Sequence, residues 1–243
     1  MMTNSYLNML ALIGEGSAHP GGFSATAQLL ERLQLNENTK LLDVGCGTGR
    51  TACYAAQTYN CQVTGIDTQS IMIEKAKQRA RAVGADVRFL RGNALHMPFR
   101  DNRFDVVMAE SVTLFTPIRR AIKEYYRITK PGGRTINLEL CKIRTIPKTM
   151  LNSLFGIKQI PTVSAWKRNY ELAGYREVSV LHQPISFSYD NMIENEMKYP
   201  DHFRIESDDL QRVEKVKEKM KQVSFFLYEH AERLGYTIID AKK

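Results

Sequence analysis

The sequence predicts an α/β protein built on a doubly wound parallel sheet, and three observations carry that reading. Short apolar segments alternate with helical ones over about the first 140 residues, the order expected of successive βαβ units. The first of these segments, Lys40–Val44, runs straight into Gly45, Gly47 and Gly49; residues without a Cβ let the chain turn sharply and lie against a ligand. The second, Gln62–Asp67, ends in a carboxylate, at the sheet edge where such folds take up nucleosides.

In chain order, two short helices at 6–13 and 24–33 precede the first strand, Lys40–Val44. A short helix over 51–59 leads to strand two, Gln62–Asp67, and then to a helix over Ser70–Val83, with Ile71, Met72, Lys75, Ala76, Arg79 and Ala80 on related turns. Ser70 reads as its cap and Gly84 as its stop. Strand three is expected at 86–90, strand four at 104–109 and the next helix at 118–129. Lys130-Pro131-Gly132-Gly133 reads as a turn before strand five at 134–140, because Pro cannot continue a helix and Gly accepts left-handed geometry. A helix over 166–173 stops at Gly174, and 175–181 alternates as a strand. In the long segment 189–234, Ser207 reads as the cap of an amphipathic helix. There Leu210, Val213, Val216, Met220, Val223, Leu227 and Leu234 recur at three- and four-residue steps, with Gly235 as the stop; such a stripe is read as core packing. The apolar tail 236–240 is a last strand.

A chain of 243 residues holds one domain, or one domain and a cap, with ample core. No apolar run approaches the roughly 20 residues that span a bilayer, and Met1-Met2-Thr3-Asn4-Ser5 has neither the charged nor the apolar region of a signal peptide, so cytoplasmic residence is expected. Cys46, Cys53, Cys61 and Cys141 show no metal spacing; reduced, packed thiols and no bound metal are expected. The net charge of +8 is compatible with nucleic acid or another anionic partner. Its basic residues are dispersed, however, along helices such as the one carrying Lys215, Lys217, Lys219 and Lys221, where Glu214 and Glu218 interleave them. Solvated helix faces are the preferred reading.

The glycine spacing discriminates between cofactors. A dinucleotide loop needs G-x-G-x-x-G, and its third glycine would fall on Arg50; this chain has G-x-G-x-G instead, preceded by Asp43. Asp67 closes strand two, twenty-four residues after Asp43, where a carboxylate accepts from ribose hydroxyls; the alternative is an acidic helix cap. Gly92-Asn93-Ala94-Leu95-His96-Met97-Pro98-Phe99 follows strand three, Phe104-Asp105-Val106-Val107 with Ala109-Glu110-Ser111 forms strand four, and Trp166, Ala173-Gly174-Tyr175 and Val178 follow the Lys-Pro-Gly-Gly turn. In this order the segments resemble the signatures of the class I S-adenosylmethionine (SAM)-dependent methyltransferases, most closely the small-molecule branch that includes ubiquinone- and menaquinone-biosynthesis enzymes.

The resemblance implies a Rossmann-like, seven-stranded sheet, mostly parallel with an antiparallel last strand, and a division into an N-terminal cap (1–34), a SAM-binding core (35–188), a helical acceptor cap (189–235) and the last strand (236–243). It implies that SAM is held by Asp43, Gly45, Cys46, Gly47, Gly49, Asp67, Thr68, Asn93, Ala94, Glu110 and Ser111. Asn93 departs from the family's Asp, yet an amide carbonyl still accepts from an adenine amino group. Methyl transfer is an in-line displacement that depends mainly on holding the nucleophile in line, so no base is obligatory. Two candidates for catalysis are His19, in the loop carrying Gly14, Gly16, Pro20, Gly21 and Gly22, and Glu110, after strand four. The alternatives are a solvent-exposed His and a capping carboxylate. Glu139, on strand five, is expected to be a buried structural partner of a basic residue. Tyr189, Tyr199, Phe203, Phe225, Phe226 and Tyr228 would suit an apolar or planar acceptor.

The expected activity is methylation of a small-molecule acceptor. A nucleic-acid methyltransferase is the competing enzyme reading; against it, no Asn/Asp-Pro-Pro-Tyr/Phe motif and no Pro-Cys or Thr-Cys nucleophile is present. A SAM-binding protein without turnover is the reading from another class. The acceptor atom and the oligomeric state are not encoded in any motif.

Overall fold

A computed structural model describes residues 5–185, 197–201 and 210–243. The helices are α1 (Ser5–Ile13), α2 (Gly22–Arg32), α3 (Arg50–Tyr59), α4 (Ser70–Val83), α5 (Ile118–Ile128), α6 (Lys148–Phe155), α7 (Val163–Glu171) and α8 (Leu210–Glu229). The strands are β1 (Lys40–Val44), β2 (Gln62–Asp67), β3 (Val87–Arg91), β4 (Phe104–Glu110), β5 (Thr129–Lys142), β6 (Glu177–Pro184) and β7 (Leu234–Lys242). They form one sheet in the order β3-β2-β1-β4-β5-β7-β6. β1, β2, β3, β4 and β5 are parallel neighbours, and β7 lies antiparallel between β5 and β6.

The strand order reverses between β1 and β4, and the crevice outside the carboxyl ends of those strands is where such sheets bind ligands. Successive side chains of a strand point to opposite faces, and here both faces are covered. Leu41, Val106, Met108 and Ile136 pack with Ala52, Cys53, Ile73 and Ala76 on one side. Leu42, Val44, Val107 and Ala109 pack on the other, with Ile122, Tyr125 and Trp166 in the same cluster. This two-sided burial explains why β1 and β4 read as continuous apolar runs. An aromatic chain fastens α1 to α6 and α8: Tyr6 meets Phe155 at 5.2 Å and Phe155 meets Phe226 at 5.8 Å.

Several expectations are corrected. Ser70 is the first residue of α4 and not its cap; Gln69 is the cap, and its backbone N–H donates to Asp67 Oδ1 at 2.9 Å. The Lys-Pro-Gly-Gly segment is counted within β5 but forms an irregularity in it. Phe104 pairs with Thr129, regular pairing resumes at Val106 with Arg134, and Gly132 has φ +77, so the expected turn before 134 survives as a break in the ladder. Gly235 does not stop the long helix, which ends at Glu229; Leu234 and Gly235 pair within β7. α6 lies in a stretch with no expected element. Ser207 lies outside the described residues, as do Tyr189 and Phe203. Of the remaining aromatics proposed for the acceptor, Phe226 is buried in the core while Phe225 and Tyr228 are exposed. The 3.6-residue period that turns Val216, Val223 and Phe226 inward places those two on the outer face.

Candidate active site

The carboxyl edge of β1 is built by hydrogen bonds from its glycine loop. Gly45 and Cys46 both donate to the Ile66 carbonyl, at 2.7 and 2.9 Å, and Gly47 donates to Asp67 Oδ2 at 3.2 Å. Gly45 has φ +69, and a Cβ there would run into the Val112 side chain. Gly49 has φ +76 and would place a Cβ 2.8 Å from Phe89 Cζ and 2.9 Å from Ala76 Cβ. Gly45 is therefore demanded by the cavity wall and Gly49 by packing of the loop onto α4.

Over this loop lies a cavity lined by Asp43, Gly45, Cys46, Gly47, Asp67, Thr68, Ala94, Glu110 and Ser111, and on its N-terminal side by Leu7, Leu10, Glu15, Gly16, Ala18 and His19. Among the described residues, four carboxylates line it and no Lys or Arg does. Asp43 is buried, its Oδ2 has no hydrogen-bond partner among the described residues, and its carboxyl is held well above the ordinary range by burial and then by the nearby Glu110 and Asp67. Burial also raises Asp67, against the backbone N–H groups of Gln69, Gly47 and Thr68 that favour its charge. Clustered carboxylates with an orphaned buried oxygen are the electrostatic complement of a cation.

Glu110 and His19 come together through a residue that sequence reasoning missed. Thr26, on α2, donates to Glu110 Oε1 at 2.6 Å, and Thr51 donates to Glu110 Oε2 at 2.9 Å. His19 Nε2 lies 3.2 Å from Thr26 Oγ1 and 3.8 Å from Glu110 Oε1. A hydroxyl has one hydrogen; with that of Thr26 committed to Glu110, Nε2 is the donor to Thr26. His19 is thus buried and not solvent-exposed, with Nε2 turned to the anchor. Thr51 sits beside the glycine motif and was within reach of inspection. Thr26 carried no signal, because its partner is 84 residues away.

The covering segment is fastened down. Lys75 Nζ donates to the Ala11 carbonyl at 2.7 Å and Gln69 Nε2 to that of Leu7 at 3.2 Å. Arg50 donates to Ser17 Oγ at 2.9 Å and to the Tyr199 carbonyl, and stacks over Phe23 at 4.2 Å. Arg79 grips Asp201 through two bonds of 2.6 and 2.9 Å while its Nε holds the Thr48 carbonyl at 2.9 Å.

Beneath the cavity wall, Glu139 is fully buried on β5 and accepts from the backbone N–H groups of Val112, at 3.1 Å, and Thr113, at 2.7 Å. No basic partner is present among its described contacts, contrary to expectation; burial pushes its carboxyl up to about 8. Asn93 also departs from expectation. It is exposed, its Oδ1 accepts from Leu95 N at 2.9 Å, and Gly92 and Ala94 line the cavity in its place. An Asn in a tight turn satisfies its own backbone before it reaches a ligand. Gly49 likewise lies outside the lining.

A family model described as a methyltransferase domain matches residues 42–137. An uncharacterized methyltransferase, YodH, of Bacillus subtilis is 31% identical over 179 residues, covering 72% of this chain and 76% of the relative. Phosphoethanolamine N-methyltransferase 1 of Triticum aestivum is 30% identical over 69% of this chain, which spans 34% of that protein. Among solved structures, the [4+2]-cyclase SpnF superposes with a TM-score of 0.75 at 24% identity, covering 97% of this chain and 94% of its own. The Haemonchus contortus phosphoethanolamine N-methyltransferase 2 bound to SAM gives 0.76 at 19% identity, over 98% of this chain and 57% of that one. At these identities the structural likeness shows the fold; the matched domain and the Bacillus relative show the family.

Proposed function

This chain belongs to the class I SAM-dependent methyltransferases, and on that premise we propose that it methylates a small molecule held between the sheet edge and the N-terminal segment. The observation that carries the proposal is that Leu7, Leu10, Glu15, Gly16, Ala18 and His19 of the N-terminal segment line the same cavity as the sheet edge. A covered, largely apolar cavity suits a small acceptor, whereas a polymer needs an open groove.

SAM, when bound, supplies a methyl group on a sulfonium centre. The residues present fit it: Asp43 offers its unpartnered oxygen to a cationic group, the Gly45–Gly47 backbone allows close approach, and Asp67 retains acceptor capacity for a ribose hydroxyl. Gly92 and Ala94 form the wall beyond Asp67. Glu110, pinned by Thr26 and Thr51, anchors His19 over the cavity, so His19 acts as a positioning residue; preorganised geometry is the main lever of a displacement that needs no base. The N-terminal segment is the acceptor cap in this reading, with α6 and α8 buttressing it. We also place the protein in the cytoplasm, supported by its four free, buried cysteines; among the described residues no helix is long and apolar enough to cross a membrane.

The test is calorimetric titration with SAM followed by a survey of S-adenosylhomocysteine release across amine, carboxylate, phenol and thiol acceptors. Binding with turnover on a small acceptor is the expected result. SAM binding with turnover on none of them, but with methylation of RNA or DNA, would overturn the small-molecule reading.

A further inference from the structure

We propose that a concavity beside the edge strand β3 is a second ligand site, and that it takes a multiply charged phosphoryl anion of the pyrophosphate class. It is lined by four arginines, Arg88 and Arg91 from β3 and Arg100 and Arg103 from the loop before β4, together with Leu90, Pro98 and Phe99. The volume is about 450 Å³, room for a hydrated polyanion at roughly 30 Å³ per water. No Asp or Glu among the described residues lines it.

Ordinary surface electrostatics does not account for this arrangement. Arginines on a protein surface usually find carboxylates, and two acids near the loop before β4 are committed elsewhere. Glu124 and Asp101 both bind Arg127, at 2.6 and 2.7 Å. None of the four arginines makes an ion pair among the described residues. Arg103 Nε is moreover a buried donor without a hydrogen-bond partner among the described residues, and an unpaired buried donor is costly unless a ligand or water completes it. Charges along an edge strand do guard against strand addition, but that role needs no second pair from another segment converging on the same hollow. A guanidinium presents a planar fork matched to phosphoryl oxygens. Arg91 Nε is engaged by the Thr68 carbonyl and Arg103 lies 5.6 Å from the Phe104 ring centre, yet four arginines lining one hollow still favour a ligand with more than one phosphoryl group. The site is distinct from the carboxylate-lined cavity and opposite to it in charge. Arg91 alone joins the two, since its Nε donates to the carbonyl of Thr68 at 3.0 Å and Thr68 lines the cavity.

The experiment titrates inorganic pyrophosphate into the full chain by calorimetry at fixed ionic strength, with SAM affinity measured on the same samples. In Arg88→Ala/Arg100→Ala, pyrophosphate affinity should fall at least tenfold while SAM affinity is retained. The control Lys215→Ala/Lys221→Ala on α8 removes the same charge and should change pyrophosphate affinity less than twofold. Arg103→Lys keeps the charge and loses the fork; a several-fold loss is expected, and this variant decides the matter where the double variant does not fold. Equal losses in the two double variants would reduce the effect to net charge and overturn the site. So would no pyrophosphate binding at millimolar concentration, or tighter binding of single-stranded RNA that these arginine changes weaken in parallel. Because SAM binding is read separately, failure of this site leaves the methyltransferase reading untouched.

Discussion

Replacing Glu139 by Gln should flatten one component of the pH dependence of folding. Glu139 titrates near 8 in the folded chain, against an ordinary value of 4.5. A carboxyl with a raised folded pKa binds its proton more tightly in the native state. Below about pH 4.5 both states are protonated and the group contributes nothing. Between 4.5 and 8 the unfolded chain releases the proton and the folded one keeps it, so stability falls by about 1.4 kcal/mol per pH unit. Over that window of 3.5 units the loss is about 5 kcal/mol, and above pH 8 it is constant. Because the side chain is fully buried, solvent does not screen the effect. Gln mimics the protonated acid: its carbonyl still accepts from Val112 and Thr113, and its amide takes the place of the unpartnered Oε2. Urea unfolding of both proteins from pH 5 to pH 9 should therefore show the variant gaining on the parent as pH rises, with most of the gain complete by pH 8. A stability difference constant within about 0.5 kcal/mol across that range would refute a raised pKa at Glu139.

Three further predictions rest on the cavity and its fastenings. Asp201→Ala leaves Arg79 buried without its bidentate partner and should cost about 3–5 kcal/mol in urea unfolding, whereas Arg79→Met/Asp201→Leu should cost much less. Gly45→Ala forces a Cβ onto Val112 at φ +69, and a loss of about 1–3 kcal/mol is expected. Adding Val112→Ala should recover part of it, while Gly47→Ala, whose Cβ would meet nothing within 4 Å, should show backbone strain alone. Asp43→Asn should weaken SAM binding in calorimetry by about 10- to 100-fold, the loss of one charge-assisted contact. The same change should leave the ligand-free protein equally or more stable near neutral pH, because Asp43 is disfavoured as an anion by burial and by Glu110.

What was legible in the sequence was whatever local periodicity and spacing encode. β1, β2 and α4 match their expected bounds, because an apolar run ending in glycine and a helix closed by Gly84 are decided by neighbours a few residues apart. Asp43, Gly45, Gly47 and Asp67 line the cavity because the switch point of the sheet, set by strand order, collects whatever follows β1 and β2. Readings that depended on a distant partner failed. Asn93 turned to its own backbone, Glu139 found two N–H groups in place of a cation, and Gly235 was claimed by a strand pairing with Cys141. α6 escaped notice because its eight residues, Lys148–Phe155, bury only Leu151 and Phe155, too few for a helical stripe to emerge.

Arg50 joins the two kinds of information. By sequence it marks where a dinucleotide loop would need glycine, and so it served only to exclude a cofactor. In the structure it opens α3, reaches Ser17 and the Tyr199 carbonyl, and stacks on Phe23. A glycine there would free the loop to approach a pyrophosphate but would leave the covering segment without this fastening. Arg50 thus acts together with Gln69 and Lys75, which hold Leu7 and Ala11, in fastening the covering segment. The position that rules out a dinucleotide spacing in the sequence also ties the covering segment to the sheet edge in the fold.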